Sequence, residues 1–295
     1  MESLTVNYSG IIREMMQHAH KKSTITIDEV YQEGNRTLLP YIEKIVADQL
    51  LPGSGVRSFT NLQRLAKLSR DGAKCLLLVE HYSNFDLPVL LYLLRKAGPE
   101  GERMAEDIVA IAALKLTESN PIVSAFSEAY SRLVIYPSRA IEEIEKKITD
   151  PALRAAEVAK ANSINLASMK ELARVRTSGK MILVFPAGTR FRPWDPSSKR
   201  GVREIDSYIR SFDYMSLVSI NGNILHINPE GEMHEDLVNR DRVVFDVSGP
   251  RRCDDFRSHI KNATSPDADK KQAVVDAVMQ ELEAMHAGVE ASLRN

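Results

Sequence analysis

A histidine and an aspartate five residues apart, in Glu80-His81-Tyr82-Ser83-Asn84-Phe85-Asp86, could together make an oriented general base. A carboxylate bonded to one ring nitrogen fixes the imidazole tautomer and leaves the other nitrogen free to accept a proton. Further along, Phe185-Pro186-Ala187-Gly188-Thr189-Arg190 ends in a guanidinium, and Arg192 follows two residues later. Residues two apart in an extended segment share a side, and a guanidinium can hold a phosphate by two parallel hydrogen bonds. A base and a phosphate clamp together suit a hydroxyl acceptor that carries a phosphate. Lys115 and Arg139 follow other apolar runs and could converge on the same anion; isolated charges at strand ends are also ordinary surface features.

On a continuous helix, residues five apart point roughly 140° away from each other, so His81 and Asp86 need a turn between them. The sequence supplies one. Residues 75–80 are apolar up to Glu80, Ser83 and Asn84 are cap-type residues, and Pro88 is tolerated only in the first turn of a helix. This predicts a strand, a loop carrying His81, and a helix starting near Asp86. Alone, the pair is weak: roughly 0.4 chance matches to this spacing are expected in a chain of this composition, and Asp86 could be only a helix cap.

The elements that must position these residues fall into two parts. Residues 1–70 read as a small helical N-terminal domain. Thr26-Ile27-Asp28-Glu29 has a capping-box pattern, and the run after it puts Val30, Leu38, Ile42, Ile45 and Val46 near one helical face. Pro52-Gly53-Ser54-Gly55 breaks the chain before one more helix. Residues 71–295 alternate short apolar runs with helical ones, which predicts an α/β fold with a mostly parallel sheet flanked by helices. Strands are expected at 75–79, 109–114, 133–136, 181–185, 224–227 and 243–247, with helices near 85–97, 152–176, 203–213 and 270–287. In such sheets ligands gather beyond the carboxyl ends of strands, where both segments lie.

Composition narrows the function. With 43% hydrophobic and 27% charged residues and a net charge of −1, the chain reads as globular, with no overall attraction for nucleic acid. Two cysteines, Cys75 and Cys253, are too few for a disulfide framework and fit a reducing cytoplasm. No secretory signal is expected, and the most membrane-like stretch, 85–94, is interrupted by Asp86 and Pro88 and falls short of the roughly 20 residues needed to span a bilayer. A cytoplasmic protein, peripheral to the membrane at most, is the expectation. His18 and His20 lie two apart on a predicted helix and so on different faces, and no metal site is expected. Without a G-x-S-x-G elbow, and with Cys75 in a buried run, a covalent acyl-enzyme is disfavoured.

Together and in this order, the two segments resemble the signatures of the glycerolipid acyltransferases, H-x4-D and F-P-E-G-T-R, with Ala187 in place of the glutamate. The resemblance implies acyl transfer at His81 and Asp86, and phosphate binding around Gly188, Thr189 and Arg190, with Gly188 permitting the turn. Val134-Ile135-Tyr136-Pro137-Ser138-Arg139 is similar to a third family block. Arg190-Phe191-Arg192-Pro193 and the N-terminal helical region resemble the soluble, plastid-type glycerol-3-phosphate acyltransferases. The implied partners are glycerol 3-phosphate and a thioester of acyl carrier protein or coenzyme A, with transient membrane-surface contact and no cofactor. Lysophosphatidate as acceptor, thioester hydrolysis, and non-catalytic binding of phospholipid headgroups are the competing readings.

Overall fold

A computed structural model of the chain describes residues 1–20, 24–118 and 120–294. Among these, eleven strands run β1 (Tyr31–Gln32), β2 (Gly55–Arg57), β3 (Cys75–Val79), β4 (Ile108–Ala113), β5 (Arg132–Ile135), β6 (Met181–Val184), β7 (Tyr214–Asn221), β8 (Leu225–His226), β9 (Leu237–Val238), β10 (Val244–Val247) and β11 (Arg251–Arg252). Nine of them form one sheet in the order β1-β5-β4-β6-β3-β7-β10-β2, with β11 added beside β7. The centre, from β5 to β7, is parallel. β1 pairs antiparallel with β5, and β10 and β11 pair antiparallel with β7. The expected α/β fold, a mostly parallel sheet flanked by helices, is the observed one.

Side chains alternate across this sheet, as the period of two requires. On one face Cys75, Leu77, Val79, Met181, Leu183, Val218 and Ile220 share a core with Ile42 and Ile45 of helix Leu39–Gln49, Leu62 and Leu65 of helix Phe59–Arg70, and Leu90 and Leu94 of helix Asp86–Lys96. On the other, Leu76, Leu78, Ile182, Val184, Met215 and Leu217 meet Ile205 and Ile209 of helix Ile205–Ser211, Phe256 of helix Cys253–Ala263, and Val274, Val278 and Leu282 of helix Lys270–Arg294. Strands buried on both faces must be apolar at successive positions, which is why β3 and β6 were legible as unbroken runs.

Two expectations are corrected, and one strand is added. The Thr26 to Glu29 pattern does not start a helix. Its turn does close, with the Glu29 N–H donating to the Thr26 carbonyl at 3.1 Å, but the chain then extends into β1. Gly34 allows this course, because a Cβ there would sit 2.7 Å from the Ala129 carbonyl oxygen. Residues 224–227 do not join the main sheet: β8 pairs with β9 in a separate two-stranded sheet. The main strand of that region is instead β7, whose Ser216, Ser219 and Asn221 are buried polar residues that break its apolar run.

Candidate active site

The parallel register sets Leu78 of β3 beside Val184 of β6, so the two signature segments leave the same edge of the sheet side by side. His81 lies on the loop after β3, and Asp86 opens helix Asp86–Lys96. The Nδ1 of His81 lies 2.9 Å from Oδ2 of Asp86, the donating geometry for an Nδ1–H tautomer. The backbone N–H groups of Tyr82 and Ser83 donate to the same oxygen at 2.6 and 2.9 Å. A capping carboxylate accepts from N–H groups that follow it in its own helix, whereas this one accepts from the preceding loop. Asp86 is therefore the clasp of the His81 loop, and with Nδ1 so engaged Nε2 is the ring nitrogen that could exchange a proton.

The second segment completes the surroundings of that imidazole. The ring of Phe185 stacks on His81 with centroids 3.9 Å apart and planes 14° apart. The Phe191 N–H donates to the His81 carbonyl at 2.7 Å. Between them Gly188 turns the chain at φ +64°, its N–H donating to the Phe185 carbonyl at 2.9 Å. This is the left-handed backbone region where a Cβ is strained. Thr189 follows, half-buried.

Arg190 turns inward, 14% exposed, and pairs through Nη1 with Oδ2 of Asp236, which is 1% exposed. Asp236 also accepts from the Asn228 N–H at 3.2 Å and the Asn84 side-chain amide at 3.3 Å. Burial pushes the Asp236 carboxyl pKa up, and the Arg190 charge and the Asn228 N–H offset only part of that rise. Arg192 is 43% exposed and faces a different carboxylate, Asp195, at 4.0 Å. The two guanidiniums thus do not share one protein partner. Lys115 and Arg139 are exposed at the starts of helices Lys115–Glu118 and Ser138–Lys147. The field of Lys115 reaches Glu143, whose carboxyl is held below its ordinary range mainly by Lys147. Lys199 lies beside Glu283 at 3.5 Å and over the Phe191 ring, and Arg203 is bound to Asp269 at 2.6 Å.

Sequence reasoning missed Asp236, which sits just before the short strand β9 in a polar stretch with no marking pattern. It also missed Glu80 and His286. Glu80 and Ala187 line one cavity of about 60 Å³ with His81 and Tyr82. Both cysteines are buried and free, and burial pushes their thiols up to about 12, which leaves almost no thiolate for nucleophilic attack.

Comparison with known families decides the wider identity. The acyltransferase family model matches residues 57–242, more than half of the chain, and spans His81, Asp86, Phe185 to Arg192, and Asp236. The chain belongs to the acyltransferase family. Its class of activity is acyl transfer, between an acyl donor and a lipid-type acceptor. No curated protein matches the sequence. Among the described residues, no helix is long and apolar enough to cross a membrane.

Proposed function

We propose that this acyltransferase moves a fatty acyl group from a thioester of acyl carrier protein or coenzyme A to glycerol 3-phosphate, giving 1-acylglycerol 3-phosphate. The bond between His81 Nδ1 and Asp86, which leaves Nε2 as the free base, carries the reading. The acceptor hydroxyl attacks the thioester carbonyl carbon and gives its proton to His81 Nε2. The carbon–sulfur bond breaks, and the departing thiolate takes that proton back, so the imidazole is restored. Asp86 holds the ring and stabilises the transient imidazolium.

Arg190 and Arg192 hold the acceptor phosphate. A guanidinium carries five N–H donors, so the bond from Arg190 to Asp236 leaves others for a phosphate. Gly188 and Thr189 shape the turn that presents them, and Lys115 and Arg139 add positive field at neighbouring strand ends. Trp194, 54% exposed two residues after Arg192, favours a second acceptor, lysophosphatidate at a lipid surface.

The experiment is one purified preparation assayed with both acceptors and both donors. Highest turnover is expected with glycerol 3-phosphate. Preference for lysophosphatidate would overturn the acceptor assignment, and thioester hydrolysis without transfer would overturn the transferase mechanism.

A further inference from the structure

The family match ends at residue 242, yet the wall of the cavity beside His81 does not. Met279 and Glu283, from helix Lys270–Arg294, line it together with Glu80, His81, Tyr82 and Ala187. One turn further along that helix, the Nδ1 of His286 lies 3.1 Å from Oε2 of Glu80 and 3.3 Å from the Tyr82 hydroxyl. We infer that His286 is a positioning residue of the active site, acting through Glu80 and Tyr82 on His81, so that a helix outside the family-matched region completes the catalytic apparatus.

Glu80 is the hinge of the argument. It directly precedes His81 and is only 7% exposed. A buried carboxylate must be bonded on both oxygens or it turns toward water or takes up a proton. Here Oε1 accepts from the Tyr82 hydroxyl at 3.1 Å, and Oε2 accepts from the Ile220 N–H at 2.8 Å and from His286. Of these donors only His286 can bring a positive charge. Lys199, a cation on the cavity wall, stands against Glu283 instead.

The helix is fixed at this point from its backbone as well. The Asn221 side-chain amide donates to the His286 carbonyl at 3.0 Å, next to the residue whose N–H serves Glu80. The path to the catalytic imidazole is short. Glu80, His81 and Tyr82 are consecutive, the Glu80 N–H donates to the Val218 carbonyl at 3.0 Å, and the Tyr82 N–H is one of the three donors gathered by Asp86. Loss of His286 leaves Oε2 of Glu80 with the Ile220 N–H alone and takes one contact from the Tyr82 hydroxyl, which loosens the loop on both sides of His81.

The inference rests on the proposed acyl transfer only for its kinetic arm. His286→Ala is expected to lower kcat about tenfold, the scale of a small misplacement of a catalytic group, with acceptor and donor KM within about twofold. His286→Asn keeps a donor near the Nδ1 position and should restore most of kcat. The substrate-free arm is the downfield proton resonance of the His81 Nδ1–H bound to Asp86, assigned by its loss in His81→Ala. It should be lost or broadened in His286→Ala and kept in His286→Asn. A kcat within twofold of the unchanged protein, a loss confined to KM, or no rescue by asparagine would overturn the inference. If the protein transfers no acyl group at all, the resonance decides alone: unchanged in both variants, it removes His286 from the site, whereas the expected pattern keeps His286 there and only the proposed reaction fails.

Discussion

The imidazole of His81 is confined on its face by the Phe185 ring, 3.9 Å away between centroids, and on its edge by Asp86 at 2.9 Å. Two contacts, one local and one from a distant segment of the chain, thus fix one ring in three dimensions. Aromatic contacts of this kind are worth about 0.5–1.5 kcal/mol beyond simple burial. Phe185→Leu keeps the apolar bulk and loses the flat face, so kcat should fall about three- to tenfold while both KM values hold. Steady-state kinetics on each substrate measure this, and an unaltered kcat would reduce the stack to ordinary packing.

His81→Ala should lower turnover by at least about 10²-fold with acceptor binding nearly intact. Asp86→Asn separates orientation from charge. Its amide oxygen can still accept from the loop, but a neutral group holds three donors less well and cannot stabilise an imidazolium. Turnover should fall substantially and stability should drop by roughly 1–3 kcal/mol, because bonds to a buried charged acceptor are weakened together. Kinetics and chemical unfolding on one preparation test both parts; full activity with lowered stability would leave Asp86 a purely structural clasp.

The parts of this architecture that could be read from sequence are those where one physical demand dominates. β3 and β6 are buried on both faces, so their apolar runs stand out, and Val274, Val278 and Leu282 mark the buried face of the last helix by their spacing. β7 lies just as deep but carries Ser216, Ser219 and Asn221, and tertiary burial overrides that local polarity. His81 and Asp86 were legible because the turn between them is local. Asp236 and His286 were not, because each reaches its partner across a large gap in the chain: Asp236 meets Arg190, and His286 meets Glu80. No local spacing encodes such pairings.

Arg190 and Arg192 should respond differently to removal, although both are assigned to the acceptor phosphate. Arg190→Ala strands Asp236, a carboxylate 1% exposed, without its counter-charge. Breaking a buried pair in this way costs roughly 3–5 kcal/mol, so the variant should unfold well before the unchanged protein. Arg192 is 43% exposed with its carboxylate 4.0 Å away, and Arg192→Ala should leave stability within about 0.5 kcal/mol. Its acceptor KM should nevertheless rise at least about tenfold, with donor KM much less affected. Thermal unfolding beside acceptor titrations resolves the two; an Arg192→Ala enzyme with normal acceptor KM would take that residue out of the phosphate site.

The pair between His286 and Glu80 should also leave a signature in the pH dependence of stability. The hydrogen bond to Glu80 raises the His286 pKa above its ordinary 6.5, with burial and the Lys199 charge opposing the rise and Glu290 adding to it. A raised imidazole pKa means that the folded protein binds this proton more tightly than the unfolded chain. The resulting stabilisation is fully present below about pH 6.5 and is lost as the pH climbs through the folded-state value. His286→Asn can donate a hydrogen bond but cannot carry the charge. The stability gap between the unchanged protein and this variant should therefore be widest in mild acid and should close on the alkaline side. Urea unfolding of both proteins across about pH 5.5 to 9 measures the gap directly. A gap that does not vary with pH would mean that a neutral hydrogen bond ties the last helix to Glu80, and the imidazolium would then have no part in holding the loop of His81.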